Sequence, residues 1–179
     1  MTKAAESVTR YSRFFKKQHV LEVLDYGTGS MRNALYLAHE GFSVYAADIP
    51  EQVERLRDCP ALLHVERLLN TDELPGSNLN VDLVLSTYVF NIIMNSAERH
   101  TYLENAVTNL KSGGYLLMEV RCRRPHEVCD AQCKDFFAHS ECSKTLTHQE
   151  LDDLLNPHGL QRISHYYRRH AVSAIFQKI

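Results

Sequence analysis

Two glycines separated by one residue lie between a short apolar segment and a helical pattern, and this junction constrains the fold most strongly. Residues 24–30 read LDYGTGS. The apolar segment 19–25 predicts a strand, and the spacing of apolar residues over 30–40 predicts a helix. Gly27 and Gly29 let the backbone pass close to a ligand where a Cβ atom would collide. The junction therefore predicts a ligand site at the carboxyl end of the first strand.

Strands and helices alternate along the rest of the chain. We predict strands over residues 19–25, 42–47, 62–68, 81–86, 115–120, 160–167 and 171–177, and helices over residues 1–19, 30–40, 51–57, 97–110 and 147–155. Ser30 is the predicted N-cap of the second helix and Gly41 its C-cap, and Thr147 with Glu150 forms a capping box. The alternation indicates an α/β fold with a mostly parallel seven-stranded sheet, helices on both faces and an antiparallel C-terminal hairpin.

Length and charge narrow the class of protein. The 179 residues suit one domain over 1–179, with a helical segment at 1–19 and a substrate-side insertion or lid at 121–146. The net charge of −2 provides no general attraction to nucleic acid or to an anionic membrane. No apolar run approaches the roughly 18 residues of a membrane span, and the first residues lack a secretory pattern. Five cysteines, an odd number, argue against a disulfide framework, so we expect a cytoplasmic protein.

An acidic residue ends the second predicted strand. Asp48 follows Gly29 by 19 residues and is placed to accept hydrogen bonds from both hydroxyls of a ribose, although it could also cap the next helix. NAD-binding loops carry a third glycine and point a helix N-terminus at a pyrophosphate, whereas Arg32 stands at the position of that glycine here. Asp25 would repel a pyrophosphate but suits the ammonium group of an amino acid. These charges favour S-adenosylmethionine over NAD.

The same residues resemble a known superfamily. The LDYGTG loop, the helix RNALYLA at 32–38, the Val44-to-Asp48 spacing, the strand DLVLST at 82–87 and the KSGG turn at 111–114 are similar to class I S-adenosylmethionine-dependent methyltransferases. The sequence is most similar to the tellurite-resistance type of small-molecule methyltransferase. The resemblance implies a Rossmann-like fold and covers the chain from about His19 onward.

The resemblance also implies roles for individual residues. Asp25, Gly27 and Gly29 would bind the methionine part of the cofactor, Asp48 the ribose, Ile49 the face of the adenine and Asp72 (or Thr71) its amino group. Ser86, Thr87 and Tyr88 would line the methyl-transfer chamber, and Tyr88 and Asn91 are the candidate catalytic residues. The sequence departs from the superfamily at Met31, where a third glycine is usual.

We predict methyl transfer to a small, soft or anionic molecule. The alternatives are a nucleic-acid methyltransferase and a protein that binds S-adenosylmethionine without turnover. Asn91 would contact the substrate or cap a helix. A general base is needed only if the nucleophile arrives protonated. The identity of the acceptor and the oligomeric state are not predicted.

Residues 121–142 are unusually rich in cysteine, histidine and arginine. Buried small residues in a lid, a structural zinc site and thiols that grip a soft metalloid are three interpretations of this composition. We predict the lid and no metal. The arginines would hold an anionic substrate or form a solvated surface, as would the basic turn at 168–170. The residues concerned are Cys122, His126, Cys129, Cys133, His139 and Cys142, with Arg121, Arg123 and Arg124.

Overall fold

Seven strands form one sheet, and its first five members run parallel. The computed structural model describes residues 3–122, 145–168 and 170–179. The sheet order is β3-β2-β1-β4-β5-β7-β6, with β7 antiparallel to both of its neighbours. This order confirms the predicted sheet and its antiparallel C-terminal pair. The strands are β1 (Glu22–Tyr26), β2 (Ser43–Asp48), β3 (Arg67–Asn70), β4 (Val81–Thr87), β5 (Leu110–Arg121), β6 (Leu160–Arg168) and β7 (Ala171–Lys178).

Helices cover both faces of the sheet. Successive residues of β4 point to opposite sides, so Leu83 and Leu85 join one buried apolar cluster and Val84 joins the other. The first cluster contains residues of α1, α2 and α3, and the second contains residues of α4, α5 and α6. The helices are α1 (Glu6–Lys17), α2 (Arg32–His39), α3 (Pro50–Leu56), α4 (Leu74–Ser77), α5 (Ser96–Thr108) and α6 (His148–Leu155).

The third strand lies further along the chain than predicted. Residues 60–64 form a 3-10 helix that begins at Pro60, and the strand runs over Arg67–Asn70. The fixed φ of proline suits the first turn of a helix, and proline donates no hydrogen bond to a sheet. Leu63, which the apolar pattern placed in the strand, is 87% exposed. The prediction of a strand over 62–68 was therefore wrong for residues 62–66, and only residues 67–68 lie in the strand.

The predicted caps of α2 are displaced by one residue. Met31, not Ser30, is the N-cap residue, and it makes no side-chain capping bond. The C-cap residue is Glu40, and Gly41 follows it with φ +91°, the left-handed conformation that glycine adopts without strain. The capping box of Thr147 and Glu150 at the start of α6 is confirmed.

Backbone hydrogen bonds hold both ends of the predicted insertion close to the end of the sheet. The amide of Leu146 donates to the carbonyl of Arg121 at 2.9 Å, and the amide of Cys122 donates to the carbonyl of His170 at 3.0 Å. The end of β5, the approach to α6 and the β6–β7 turn are therefore neighbours. Most of the predicted lid, residues 123–144, lies outside the described residues.

Candidate functional site

The strand order reverses at β1, which lies between β2 and β4. In open α/β sheets, the crevice at the carboxyl ends of the strands beside such a point is the usual ligand site. The loop that follows β1 turns sharply there: the amides of Gly27 and Thr28 both donate to the carbonyl of Ala47, at 2.8 and 3.0 Å. Gly27 has φ +87° and Gly29 has φ +54°. The glycine loop thus lies across the end of β2.

The two glycines serve different purposes. A Cβ atom added to Gly27 would lie 2.2 Å from Cγ2 of Val89, so this glycine is required by the packing of the protein itself. A Cβ atom added to Gly29 would meet nothing within 4 Å. Gly29 therefore borders open space, as expected of a residue that a ligand approaches closely.

Met31 holds the third position of the loop in the left-handed conformation, with φ +62°. Glycine adopts this conformation without penalty, whereas other residues lose roughly 1–2 kcal/mol. The methionine side chain is completely buried in the cluster of α1, α2 and α3. The loop therefore keeps the backbone shape of a third glycine, and the side chain of Met31 points into the core.

Asp25 ends β1 with a carboxyl group that is 1% exposed. Its Oδ2 atom accepts a hydrogen bond from the hydroxyl of Thr28 at 2.9 Å, and its Oδ1 atom is buried without a hydrogen-bond partner. Burial raises the pKa of Asp25 to about 6, against the opposing effects of the Thr28 hydroxyl and the Ala34 backbone amide, and the charge of Asp48 raises it further. A buried acceptor without a partner fits the ammonium group of an amino-acid ligand.

Asp48 ties the glycine loop to the end of β2. Its Oδ2 accepts a hydrogen bond from the amide of Gly29 at 2.7 Å, and its Oδ1 accepts one from the amide of Ile49 at 2.9 Å. Gln52 donates to the carbonyl of Gly29 at 2.8 Å. Ionised carboxylate oxygens have further acceptor sites, so Asp48 can also receive ribose hydroxyls. It does not cap α3, whose N-cap residue is Ile49.

Ile49 and Asp72 lie at the same edge of the sheet. Asp48 pairs with Asn70 in the β2–β3 register, and Asp72 follows two residues later in an exposed 3-10 turn over Thr71–Glu73. Ile49 is 53% exposed, which is unusual for isoleucine at the end of a buried strand. The arrangement offers an apolar face and a nearby carboxylate to a planar base.

The predicted chamber residues lie at the end of β4 and just beyond it, and they divide between core and cavity. Ser86 is fully buried, and its hydroxyl accepts a hydrogen bond from Tyr102 at 2.8 Å, so this side chain does not line the chamber. Thr87 accepts a hydrogen bond from Asn33 at 2.9 Å. The other end of that amide accepts the backbone N–H of Ala5, also at 2.9 Å. Asn33 thus joins the start of α1 to the end of β4.

Tyr88 and Asn91 differ in exposure. Tyr88 is 36% exposed, has φ +60°, and donates its hydroxyl hydrogen bond to Glu119 at 2.8 Å. Asn91 is 1% exposed in a 3-10 turn over Phe90–Ile92, and its Oδ1 atom is buried without a partner. The helix-cap interpretation of Asn91 is wrong, because Asn95 caps α5 through the amides of Ala97 and Glu98.

A cavity of about 720 Å³ opens beside Tyr88. Arg32, Glu119 and Arg121 form part of its wall, and the other charged groups come from the N-terminal segment and the C-terminal hairpin. Glu6 forms an ion pair with Arg168 across it. Among the described residues, no carboxylate forms an ion pair with Arg32 or Arg121. The described lining residues are Lys3, Ala4, Ala5, Glu6, Thr9, Arg32, Tyr88, Glu119, Arg121, Arg168, His170 and Ala171.

The arginines, cysteines and histidines singled out in the sequence at 121–142 and 168–170 divide between the cavity, the core and positions outside the described residues. Arg121, Arg168 and His170 line the cavity, whereas Arg123, Arg124 and Arg169 lie outside the described residues. Cys122 is buried in the cluster of α5 and α6. The other members of the cysteine-rich segment, namely His126, Cys129, Cys133, His139 and Cys142, also lie outside the described residues.

Clusters of metal ligands and membrane-spanning helices are both absent from the described ranges. Within 3–122, 145–168 and 170–179, no group of three His, Cys, Asp or Glu side chains is arranged to hold a metal ion. No helix in that part of the chain is long and apolar enough to cross a membrane.

Sequence reasoning missed the residues that act over long separations. Glu119 lies near the carboxyl end of β5, and its Oε2 atom accepts a hydrogen bond from Ser7, which is 112 residues away. Asn33 and Thr87 are 54 residues apart. The one available signal was an acidic residue in the otherwise apolar run Leu116–Val120. A carboxylate in such a strand needs hydrogen-bond donors from elsewhere in the fold.

Comparisons with known proteins assign the chain to a family and show which solved structures have its fold. The family described as "Methyltransferase domain" matches residues 2–178. No curated protein sequence matches the chain significantly. An S-adenosylmethionine-dependent methyltransferase structure from Methanosarcina mazei shares 18% identity with a TM-score of 0.74, over 99% of both chains.

Two further solved structures have the same fold. TehB from Haemophilus influenzae also shares 18% identity, with a TM-score of 0.72 over 100% of this chain and 64% of that one. A Burkholderia thailandensis 1,6-didemethyltoxoflavin N1-methyltransferase, solved with S-adenosylhomocysteine, is 18% identical with a TM-score of 0.69, over 97% and 78% of the two chains. At this level of identity, the likeness establishes the fold.

Proposed function

The chain belongs to the methyltransferase-domain family, and we propose that it transfers a methyl group from S-adenosylmethionine to a small anionic molecule. Family membership supports methyl transfer, and the buried carboxyl oxygen of Asp25 that lacks a partner is the observation that supports the cofactor site. An ammonium group placed there would complete the hydrogen bonding of Asp25 and neutralise its charge. The amino-acid end of S-adenosylmethionine carries such an ammonium group and would provide both effects.

The other proposed cofactor contacts lie along the carboxyl ends of β1, β2 and β3. Gly29 leaves room for the chain of the methionine, Asp48 accepts the ribose hydroxyls, Ile49 packs on the adenine and Asp72 receives its amino group. The bound cofactor supplies an electrophilic methyl group on a positively charged sulfur. The protein has to align the acceptor with that methyl group and exclude water, an effect worth up to about 7–11 kcal/mol.

The cavity beside Tyr88 is the proposed acceptor site. Tyr88 follows β4 by one residue, and β4 pairs with β1 so that Leu85 lies opposite Asp25. The cavity is therefore close to the methionine end of the cofactor site. Arg32 and Arg121 have no carboxylate partner among the described residues, whereas Glu6 already engages Arg168. This excess of positive charge favours a carboxylate or phosphate on the acceptor.

Of the two acceptor properties predicted from sequence, the structure supports the anionic one. The soft-metalloid interpretation depended on cysteines that lie outside the described residues, apart from Cys122 in the core. The 1,6-didemethyltoxoflavin N1-methyltransferase was solved with 1,6-didemethyltoxoflavin bound, which is in keeping with a small-molecule acceptor here. The net charge of −2 disfavours the nucleic-acid alternative.

Matched acceptors that differ only in charge would test the proposal. Hydroxybenzoates and the corresponding hydroxybenzamides are incubated with S-adenosylmethionine, and the formation of S-adenosylhomocysteine is measured. We expect turnover of the charged members, and a loss of about 10–100-fold in kcat/KM for them in Arg121→Ala, since charge-assisted hydrogen bonds contribute roughly 1.5–3 kcal/mol. Arg55→Ala, an exposed change on α3, is the control. Equal turnover of charged and neutral members would contradict the anionic assignment.

A further inference from the structure

Tyr88 is fixed to Glu119 at two points. Its hydroxyl donates to Oε1 of Glu119 at 2.8 Å, and its backbone amide donates to the Glu119 carbonyl at 2.7 Å. The two contacts determine both the position and the direction of the phenol ring. Both side chains line the acceptor cavity. The phenol oxygen thus lies between the cavity and a buried carboxylate.

The backbone of Tyr88 supports a functional role for this contact. A tyrosine with φ +60° loses roughly 1–2 kcal/mol relative to a residue in an ordinary conformation. Such strained conformations persist where the surrounding structure enforces them, and they cluster at functional sites. In this conformation the phenol hydroxyl contacts Glu119.

Glu119 keeps the character of a proton acceptor. Its carboxyl group is 6% exposed and accepts hydrogen bonds from two hydroxyls, those of Tyr88 and Ser7. No basic side chain among the described residues forms an ion pair with it. Glu119 is therefore placed to take a proton from the hydroxyl of Tyr88.

Building on the function proposed above, we propose that Tyr88 and Glu119 form a proton relay, so that the methyl acceptor carries a hydroxyl or another nucleophile that arrives protonated. A hydroxyl group both donates and accepts. Tyr88 can therefore accept a hydrogen bond from the acceptor while it donates one to Glu119. This assignment separates such acceptors from thiolates and reduced metalloids, which need no base.

Methyl transfer and two proton transfers together make up the proposed reaction. The acceptor oxygen forms its bond to the methyl carbon as the carbon–sulfur bond breaks, and that electron pair stays on the sulfur. The proton of the acceptor passes to the Tyr88 oxygen, and the Tyr88 proton passes to Glu119. The products are a methyl ether, S-adenosylhomocysteine and a protonated Glu119. Glu119 then returns the proton to water through the open cavity.

The charges around Tyr88 agree with this order of events. Burial raises the pKa of the Tyr88 phenol, and Glu119 and Tyr166 raise it further, whereas Arg32 opposes them. Tyr88 therefore stays protonated at neutral pH and passes a proton on instead of storing a negative charge. Arg121, Arg168 and Glu6 also border the cavity, but they are exposed to water.

Paired acceptors distinguish the relay from a structural role. We would compare a hydroxybenzoate with the corresponding mercaptobenzoate, whose thiol is far more acidic and which reacts as the thiolate. In Tyr88→Phe and Glu119→Gln, we expect kcat/KM for the hydroxyl acceptor to fall by about 100-fold or more, the usual scale of a lost base. The value for the thiol should change less than about threefold. Tyr115→Phe is the matched control, because Tyr115 lies on the same strand as Glu119 but outside the cavity.

A binding measurement gives a second readout. With S-adenosylhomocysteine bound, the native protein should bind a hydroxybenzoate more tightly than benzoate, and Tyr88→Phe should lose this preference. Equal losses for hydroxyl and thiol acceptors, or methylation of thiols alone, would contradict the relay and leave the proposed function intact. A native protein that binds S-adenosylhomocysteine but neither binds nor methylates any anionic acceptor would contradict the proposed acceptor class instead.

Discussion

The carboxylate of Asp48 accepts the backbone amide of Gly29 at 2.7 Å, although the two residues belong to different βα units. Asp48 therefore shapes the glycine loop as well as being placed to contact a ribose. Asp48→Ala should weaken the binding of S-adenosylhomocysteine by about 10–100-fold, the scale of lost charge-assisted hydrogen bonds. Calorimetry measures the affinity, and Asp58→Ala, an exposed change beyond α3, is the control. Unchanged affinity would rule out this placement of the ribose.

Cofactor binding should also stabilise the folded protein. At about 100 times the dissociation constant, a ligand that binds only the folded state adds roughly 2.7 kcal/mol. For a chain of this size, that corresponds to a rise in Tm of roughly 5–10 °C. S-adenosylmethionine and S-adenosylhomocysteine should produce this shift in a thermal melt, and NAD should not. A shift with NAD alone would reverse our choice of nucleoside ligand.

The two loop glycines should respond differently to valine. Gly29→Val should fold with a modest loss of stability, because its Cβ atom meets nothing but its φ is positive, and it should lose cofactor affinity. Gly27→Val should lose stability as well as affinity, because its Cβ atom would collide with Val89. Paired thermal melts and calorimetry separate the two effects. Normal affinity in Gly29→Val would contradict the loop assignment.

Met31 offers a direct test of backbone strain. Met31→Ala should lower the free energy of unfolding by roughly 2–5 kcal/mol, because a fully buried side chain is truncated. Met31→Gly removes one more carbon but relieves the left-handed strain, so it should be more stable than Met31→Ala by about 1 kcal/mol. Elsewhere glycine is the less stable of the two. Denaturant unfolding of both variants gives the comparison, and the opposite order would show that Met31 is not strained.

Asp25 should make stability depend on pH. Its pKa is raised from 3.8 to about 6 in the folded protein, mainly by burial. Between those values the folded state holds a proton that the unfolded state has lost, so stability falls as pH rises through this window. Asp25→Asn should therefore be more stable than the native protein at pH 7, by up to about 3 kcal/mol. The difference should disappear below about pH 4.

The same group links pH to cofactor binding. The ammonium group of S-adenosylhomocysteine favours the ionised form of Asp25, so affinity should rise from about pH 5 to pH 7. Binding at pH 5.5 should release a fraction of a proton. Calorimetry in buffers with different enthalpies of ionisation measures that release. Asp25→Asn should bind weakly with no release in this range, and a release that persists in the variant would identify a different group.

Sequence patterns predicted the parts of this protein that depend on local chemistry. The apolar runs of β1, β2 and β4 and the glycine loop were recognisable because each is specified by neighbouring residues. The third strand was misplaced because an apolar run resembles a strand even where Pro60 starts a 3-10 turn. The burial of Ser86 against Tyr102 depends on how α5 packs, which no local pattern reports.

The acceptor side was the least predictable part. Tyr88 was identified from its position after β4, but its partner Glu119 comes from a strand 31 residues later, and Ser7 comes from the first helix. Such contacts exist only after the sheet has assembled. The sequence showed the acidic residue in β5 but not which side chains lie beside it in the folded protein.

The hydrogen bond between Leu146 and Arg121 has an evolutionary consequence. The chain leaves β5 at Arg121 and returns beside that residue at Leu146, just before α6, so the number of residues between those points does not affect the strand register. Insertions, deletions or a wholly different sequence can be accommodated there without rebuilding the rest of the protein. Descendants of this scaffold are free to diversify at that position while they inherit the glycine loop unchanged.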